Sequence, residues 1–100
     1  SVLIENAVKY TREGDRITVR LKNTKDGCVF TVADTGIGVP KAELESIFDR
    51  FYRADNAKDI PGTGLGLSIA KAIVEGMGGT ISAASNVPCG LEINCRFKRQ

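Results

Sequence analysis

Two glycine-rich segments, one acidic and aromatic segment and one asparagine-bearing helix follow one another within this short chain. The helix carries Asn6, the first glycine segment covers residues 34–38, the aromatic segment residues 47–53, and the second glycine segment residues 62–67. Glycine lets a backbone approach a ligand more closely than any residue with a side chain. The combination predicts a nucleotide site with a metal-binding Asn, a base-reading Asp and a glycine-hinged lid. The fold must therefore bring four separate segments together.

The composition indicates one domain without a strongly charged surface. The chain has 100 residues, of which 42% are hydrophobic, so it can bury a core of its own. A net charge of +2 gives no field that favours nucleic acid or a membrane, and no apolar run reaches membrane-spanning length. Cys28, Cys89 and Cys95 lack metal-ligand spacing, so we interpret them as reduced, small core residues of a cytoplasmic protein.

Hydrophobic periodicity predicts an α/β fold. The predicted elements are a helix over residues 1–12, strands over 16–22 and 28–34 with a turn at 25–27, a short helix after Pro40, a loop over 53–63, a helix from 64 or 65 to 77, and strands over 80–84 and 91–97. The long helix is expected to have Leu65, Ile69, Ala72, Ile73 and Gly76 on one side. This order predicts a layered sandwich, in which one mixed sheet carries helices on one face.

Three residues share one face of the first predicted helix, since Asn6, Lys9 and Tyr10 are three and four positions apart. Asn is unfavourable inside an apolar helix unless its side chain finds a partner. Its amide oxygen is a hard ligand that suits Mg²⁺, and Lys9 could pair with phosphate. A second interpretation stays open, in which Asn6 is buried and bonded to backbone, Lys9 lies on the surface and Tyr10 belongs to the core.

Asp34 ends a predicted strand, a type of element in which aspartate is rare. A buried carboxylate that accepts a hydrogen bond from the amino group of adenine would explain it, and Gly36 and Gly38 would let the backbone approach the flat ring. A turn capped by the aspartate is the alternative. A dinucleotide fingerprint is rejected, because Pro40 intervenes and no helix opens directly after the glycines.

The second glycine segment precedes a helix. Backbone N–H groups at a helix start favour anions, so Gly64 and Gly66 are predicted to allow close approach of phosphate and to let the preceding loop hinge. No Lys-Ser/Thr pair follows the glycines, which excludes a P-loop. A flexible loop that leads into the helix is the alternative.

Aromatic residues precede this loop. Phe48, Phe51 and Tyr52 are predicted to pack as a cluster that anchors one end of the lid. Arg53 borders the loop, and the spacing alone allows it either to reach a phosphate or to remain solvated.

The four segments resemble the N, G1, F and G2 boxes of the ATP-binding domain of bacterial sensor histidine kinases. That domain belongs to the superfamily shared with type II topoisomerase ATPase subunits, Hsp90 and MutL-type repair ATPases. The resemblance covers residues 2–97 and implies the Bergerat fold: a two-layer α/β sandwich of helices on a mixed, largely antiparallel sheet, with ATP and Mg²⁺ as cofactors. It implies Asn6 as the Mg²⁺ ligand and Asp34 as the adenine reader. The other nucleotide contacts that it implies are Lys9, Tyr10, Gly36, Ile37, Gly38, Arg53, Gly62, Thr63, Gly64, Leu65, Gly66 and Leu67.

Three departures from the family pattern bear on the chemistry. Val2 stands four residues before Asn6, where the family often has an asparagine. The superfamily's ATPases usually have a glutamate there that activates water, and the lack of this glutamate favours a kinase over a hydrolase. Gly90-Leu91 replaces a Gly-Thr pattern and loses one hydroxyl contact. Glu5 is a candidate general base or positioning residue, although an ideal helix directs it about 100° away from Asn6. The candidate catalytic residues are Asn6, Lys9 and Glu5.

The chain contains no histidine, so it cannot carry the phosphoacceptor that the resembled kinases modify. Residues 1–100 are expected to be one catalytic domain of a longer protein. It would transfer the γ-phosphoryl group of Mg-ATP to a histidine on a helical dimerisation domain and serve a response regulator indirectly. We expect no nucleic-acid or membrane contact and a cytoplasmic domain, and a membrane anchor elsewhere in the parent stays open. A nucleotide-sensing module without phosphotransfer and an ATPase of the same superfamily are the alternatives.

Overall fold

The computed structural model describes residues 2–53 and 66–98 of the chain. All four predicted strands and both predicted long helices are found there, with bounds shifted by a few residues. In chain order the elements are α1 (Val2–Lys9), β1 (Ile17–Thr24), β2 (Gly27–Asp34), 3₁₀ turns at Lys41–Glu43 and Ser46–Phe48, α2 (Gly66–Gly76), β3 (Thr80–Ser85) and β4 (Leu91–Lys98). Most of the predicted lid loop lies outside the described residues.

The four strands form one sheet in the order β1-β2-β4-β3, and each neighbouring pair is antiparallel. The first hairpin closes at the predicted turn, because Thr24 pairs with Gly27. A Cβ on Gly27 would overlap the Phe97 carbonyl oxygen of β4, which explains the glycine at this position. The described strands contain no parallel pair, so within them the sheet is antiparallel throughout rather than mixed.

Both helices pack on one face of the sheet, and buried apolar side chains fill the space between the layers. Val32 of β2 and Ile93 of β4 are cross-strand partners on this face, and Leu3 and Ala7 of α1 belong to the same buried cluster. The other members of the cluster are Ile47, Phe48, Ala70, Val74, Leu91 and Cys95. Burial of each large aliphatic side chain contributes about 1.5–3 kcal/mol. The predicted two-layer α/β sandwich is confirmed.

The long helix α2 buries a different face from the one predicted. Ala70 and Val74 are buried, whereas Ile69 and Ile73 are 48% and 54% exposed and Ala72 is also exposed. Apolar residues surround most of this helix, so their periodicity does not single out one face. The buried face is instead the one on which the small Ala70 lies, one turn before Val74.

Within the described ranges, no helix is long and apolar enough to cross a membrane.

The glycines after α2 end the helix as predicted. Gly78 has a φ of +82°, and its N–H donates to the Glu75 carbonyl at 3.0 Å. The N–H of Gly79 donates to the Val74 carbonyl at 2.9 Å. These two bonds form a Schellman motif, which satisfies carbonyl groups at the helix end.

The segment after Pro40 forms two 3₁₀ turns instead of the predicted short helix. Ile47 and Phe48 are adjacent in sequence, and both are buried. The buried face of a surface α-helix repeats every three or four residues, so a 3₁₀ turn accommodates two adjacent buried side chains better.

The aromatic residues before the lid do not all pack together as predicted. Phe48 is in the core and Tyr52 packs against it, with a hydrogen bond from the Tyr52 hydroxyl to Glu43. Phe51 is 63% exposed and has a φ of +64°, and the Arg50 guanidinium lies 5.5 Å from its ring. The predicted cluster is therefore wrong for Phe51, because the left-handed backbone turns its side chain away from the core.

The three cysteines occupy different environments. Cys95 is buried in the core, as predicted, and Cys28 is half-buried. Cys89 is exposed, so the prediction of a core position is wrong for this residue. It lies in the connection between β3 and β4, where its Sγ donates to the Thr35 carbonyl at 3.4 Å.

Candidate functional site

Asp34, the last residue of β2, places a carboxylate on the inner face of the sheet. Strand alternation puts it on the same face as Phe30 and Val32, and only 5% of it is exposed. Its Oδ1 accepts hydrogen bonds from the backbone N–H of Gly36 at 2.9 Å and of Leu91 at 3.3 Å. Its Oδ2 accepts none from any described residue. This second oxygen therefore remains available as a hydrogen-bond acceptor within the described part of the chain.

Burial raises the pKa of Asp34 above its ordinary value of 3.8, because desolvation penalises the charged form. The backbone hydrogen bonds from Gly36 and Leu91 oppose this effect, and the negative charge of Asp15 adds to it. The ionised carboxylate is therefore costly to keep in the empty protein. A hydrogen-bond donor brought to Oδ2 by a ligand would offset part of that cost, and an amino group on an aromatic base is such a donor.

The loop after β2 is held against the end of α1. Ile37 donates its backbone N–H to the Tyr10 carbonyl at 3.2 Å, and a Cβ on Gly36 would overlap that same carbonyl oxygen. Gly38 has a φ of +68°, which favours glycine, and lies against Gly90. The sequence alone suggested that Gly36 and Gly38 allow a flat ligand to approach. In the structure, the nearby backbone of Tyr10 and Gly90 also requires glycine at these two positions.

The connection between β3 and β4 contacts the other side of Asp34. Asn86 donates its Nδ2–H to the Asp34 backbone carbonyl at 2.7 Å. Gly90 has a φ of +103°, and a Cβ there would overlap the same carbonyl oxygen. Sequence reasoning treated Gly90-Leu91 as a departure from a family pattern and did not single out Asn86. The available signal was an asparagine directly after a strand, in a turn that ends in glycine.

Asn6 and Lys9 lie on α1, four residues and one residue before Tyr10. The carboxamide of Asn6 is half-buried and makes no hydrogen bond within residues 2–53 and 66–98, which differs from the alternative of a buried, backbone-bonded asparagine. Lys9 is exposed, and its Nζ lies 5.5 Å from the centroid of the half-buried Tyr10 ring. Glu5 is exposed. Asn6 thus presents an amide oxygen, and Lys9 a positive charge, on the helical side of the site.

The start of α2 lies beside the first turn of α1. A Cβ on Gly66 would be 3.7 Å from the Val2 Cγ1, an ordinary contact distance. Val2 precedes Asn6 by one helical turn, so the start of α2, with its free backbone N–H groups, lies at the N-terminal end of α1, one turn before Asn6. Leu67 packs against the core, so its side chain serves the fold. Arg53 is half-buried, and the predicted contacts Gly62, Thr63, Gly64 and Leu65 lie outside the described residues.

The donor chemistry on α1 fits a magnesium ion held mainly by a ligand. Mg²⁺ usually takes one or two protein oxygens and completes its octahedron with phosphate oxygens and water. Asn6 offers one such oxygen with no protein partner in the described part of the chain. Among the described residues, no group of three or more His, Cys, Asp and Glu side chains could hold a metal ion.

Comparison with known proteins links this geometry to a family. The sequence model of the histidine kinase-, DNA gyrase B- and HSP90-like ATPases matches residues 1–100. The chain is 45% identical over 87 residues to the sensor histidine kinase WalK of Bacillus subtilis. That match covers 83% of this chain but 14% of WalK, so the chain spans about one seventh of this relative.

Two of the solved structures that match this chain have the same fold. The mycobacterial sensor histidine kinase MprB superimposes with a TM-score of 0.89 at 32% identity, covering 97% of this chain and 67% of that one. Full-length ShkA in complex with AMPPNP superimposes with a TM-score of 0.78 at 30% identity, covering 95% of this chain and 19% of that one.

Proposed function

Because the chain belongs to the family of histidine kinase-, DNA gyrase B- and HSP90-like ATPases, as an ATP-binding catalytic domain of the sensor histidine kinase type, we propose that it binds Mg-ATP and transfers the γ-phosphoryl group to a histidine on another domain. The observation that carries the proposal is the buried Asp34 carboxylate with one oxygen left for a ligand. The AMPPNP complex of ShkA supports a nucleotide as that ligand.

Asp34 holds the base. Its Oδ2 accepts a hydrogen bond from the exocyclic amino group of adenine, while Oδ1 remains bonded to the backbone of Gly36 and Leu91. Tyr10 and the loop of residues 36–38 form the adjoining wall, since Ile37 and the Tyr10 carbonyl are bonded to each other. The raised pKa of Asp34 means that this hydrogen bond compensates a desolvated charge, which makes it stronger than a bond between neutral groups.

The phosphates lie toward α1 and the start of α2. Asn6 supplies an amide oxygen to Mg²⁺, and the exposed Lys9 supplies a positive charge. The first N–H groups of α2, at Gly66 and Leu67, favour an anion nearby. Mg²⁺, when bound, neutralises phosphate charge and stabilises the charge that develops during transfer. Arg53 and residues 62–65 are proposed as further phosphate contacts.

The acceptor is a histidine outside this chain, because the chain has none. A helical dimerisation domain of the same protein is its proposed location, and a response regulator would receive the phosphoryl group afterwards. In the transfer, the bond from the γ-phosphorus to the bridging oxygen breaks, a bond to the imidazole nitrogen forms, and ADP leaves. The role of this domain is mainly to position the nucleotide and neutralise its charge. Glu5, exposed on α1, is a candidate for receiving or orienting the imidazole proton.

Hydrolysis is the less favoured chemistry. Val2, at the position of the water-activating glutamate of related ATPases, is a half-buried aliphatic residue that packs against the core. An aliphatic side chain cannot accept a proton from water. A nucleotide-sensing module without phosphotransfer has the same binding site and differs only in lacking an acceptor.

A transfer assay separates the three functions. The purified chain with γ-labelled ATP and Mg²⁺ should bind nucleotide without labelling itself. Addition of the cognate histidine-bearing domain should place an acid-labile, base-stable label on that domain. If binding is confirmed and the cognate domain stays unlabelled, the chain is a sensing module. If the chain alone releases phosphate steadily and Asn6→Ala abolishes this release, it is an ATPase.

A further inference from the structure

The hydrogen-bond ladder between β2 and β4 ends one residue before the candidate base-reading position. Its last pair is Ala33 with Glu92. Beyond it, the N–H of Leu91 donates to the Asp34 carboxylate at 3.3 Å instead of to a backbone carbonyl. The Asp34 carbonyl, in turn, accepts from the Asn86 side chain at 2.7 Å instead of from a backbone N–H. Two side chains thus replace the backbone groups that would have continued the ladder.

The Asn86 side chain is fixed by its own backbone. Asn86 directly follows β3, and its N–H donates to the Gly90 carbonyl at 3.0 Å, which closes the turn between β3 and β4. Gly90 lies against the same Asp34 carbonyl oxygen, because it has no Cβ. The turn therefore presents the Asn86 amide group to Asp34 at a fixed distance, and movement of either residue would stretch a 2.7 Å bond.

We propose that Asn86 is the positioning residue of Asp34, and that it sets the preference of the site for a base with an exocyclic amino group. The Asn86 amide holds the backbone of Asp34, while the N–H groups of Gly36 and Leu91 hold Oδ1. With Oδ1 bonded to two backbone N–H groups and the Asp34 backbone carbonyl bonded to Asn86, the carboxylate has little freedom to move, and Oδ2 remains available as an acceptor. This inference rests on the proposed role of Asp34 in nucleotide binding.

Without the Asn86 amide, two effects weaken base recognition. The Asp34 carbonyl loses a half-buried donor, and the end of β2 gains freedom to move. A carboxylate that samples several positions makes a poorer hydrogen bond to a base amino group, whereas contacts to the phosphates at α1 and α2 are unchanged. A ligand without that amino group should therefore be less affected.

Base selectivity provides the test. The affinities of ATP and of inosine triphosphate, which carries a carbonyl in place of the amino group, are measured by calorimetry with Mg²⁺. We expect the unaltered chain to prefer ATP, and Asn86→Ala to bind ATP about tenfold more weakly, with a much smaller change for inosine triphosphate. Asn86→Asp keeps the size of the side chain but replaces the donor with a negatively charged acceptor beside the Asp34 carbonyl, so it should reduce the preference as well.

Asn94→Ala is the matched control. Asn94 lies on the neighbouring strand β4 and accepts from the Thr31 hydroxyl at 2.7 Å, on the opposite face of the sheet from Asp34. Its loss should lower the melting temperature without changing the ratio of the two affinities. A purely structural role of Asn86 would give the same result in Asn86→Ala.

The possible outcomes distinguish a failure of the role of Asp34 from a failure of the role of Asn86. If the unaltered chain binds no ATP, or binds both nucleotides equally, the proposed role of Asp34 fails. If it prefers ATP and a folded Asn86→Ala or Asn86→Asp keeps the full preference, the role of Asn86 is overturned while that of Asp34 stands. If circular dichroism shows both variants unfolded, Asn86 is a structural residue and the proposal is also overturned.

Discussion

The backbone N–H of Ile37 donates to the carbonyl of Tyr10 at 3.2 Å and so ties the glycine loop after β2 to the end of α1. This one bond joins the two segments that carry the proposed base contacts and metal contact. Because Gly36 lies between Asp34 and Ile37, its lack of a side chain lets the loop come this close to Tyr10. The stability of the fold and the geometry of the site therefore depend on the same contact.

Gly36→Ala should destabilise the protein. The added Cβ would overlap the Tyr10 carbonyl oxygen, a backbone atom that cannot move aside cheaply. Overpacking of this kind costs about 1–3 kcal/mol, and nucleotide affinity should fall as well because the loop is displaced. Thermal unfolding and calorimetry would measure the two effects.

Gly76→Ala is the matched control for that substitution. Gly76 is the last residue of α2, and nothing lies within 4 Å of the position of an added Cβ. Alanine in a helix is more favourable than glycine by about 0.5–1 kcal/mol, so this variant should be more stable and bind nucleotide normally. Equal destabilisation by both substitutions would contradict the packing argument.

Asp34→Asn should weaken the binding of ATP and ADP alike, since both share adenine. Loss of a hydrogen bond to a charged group costs about 1.5–3 kcal/mol, or roughly ten- to a hundredfold in affinity. Asparagine can still accept from Gly36 and Leu91, so the variant should remain folded. Wild-type affinity in calorimetry would remove Asp34 from the base site.

The pH dependence of stability should also reveal Asp34. Burial raises the pKa of Asp34 in the folded state above its ordinary value of 3.8, so between these two values the folded protein binds more protons than the unfolded chain. The contribution of Asp34 to the free energy of unfolding is therefore greatest below pH 3.8 and falls as the pH rises through the raised pKa. Denaturant titrations of the nucleotide-free protein at several pH values should show this decrease in the free energy of unfolding. The same titrations of Asp34→Asn should not show it. An identical pH profile for both proteins would show that burial does not shift this pKa.

Asn6→Ala should weaken Mg-ATP binding more than the binding of metal-free adenosine. Its carboxamide has no hydrogen bond within the described residues, so its removal costs little in folding and mainly removes a Mg²⁺ ligand. Asn23→Ala, at an exposed position on the edge strand β1, controls for the loss of an asparagine. Equal losses with and without magnesium would assign Asn6 a structural role.

The three thiols should react in the order of their exposure. Cys89 is exposed and should react with Ellman's reagent first, Cys28 is half-buried, and Cys95 is buried. Burial also raises the pKa of the Cys95 thiol, which lowers its thiolate fraction and slows it further. Cys89→Ser should remove the fast phase, and a fast phase that persists in this variant would contradict the assignment.

The strands could be predicted from the sequence because their pattern is local. Ile17, Val19 and Leu21 alternate with polar residues, and a turn sequence at residues 25–27 determines where the chain reverses. The face of α2 could not be predicted in the same way. Its apolar residues cover both sides, and only the position of the sheet decides that Ala70 is buried and Ile69 is exposed.

The candidate site, too, could be predicted from the sequence only in part. Asp34 could be selected as a candidate site residue from its position at a strand end before two glycines. Asn86 could not, because it is 52 residues away in sequence and meets Asp34 only through the pairing of β3 with β4 and of β4 with β2. The exposure of Phe51 depends on a left-handed backbone conformation that its residue type does not suggest.

The helix that carries Asn6 also constrains how the length of this domain can vary. The N–H of Tyr10 donates to the carbonyl of Asn6 at 3.3 Å, so the two residues are separated by one helical turn. A single-residue insertion between them would rotate one relative to the other by about 100° and shift it by about 1.5 Å. The connection of residues 25–26, in contrast, lies at the far end of the β1–β2 hairpin from Asp34 and could lengthen without altering the site. Insertions and deletions among natural relatives should therefore accumulate in such turns and be absent between Asn6 and Tyr10.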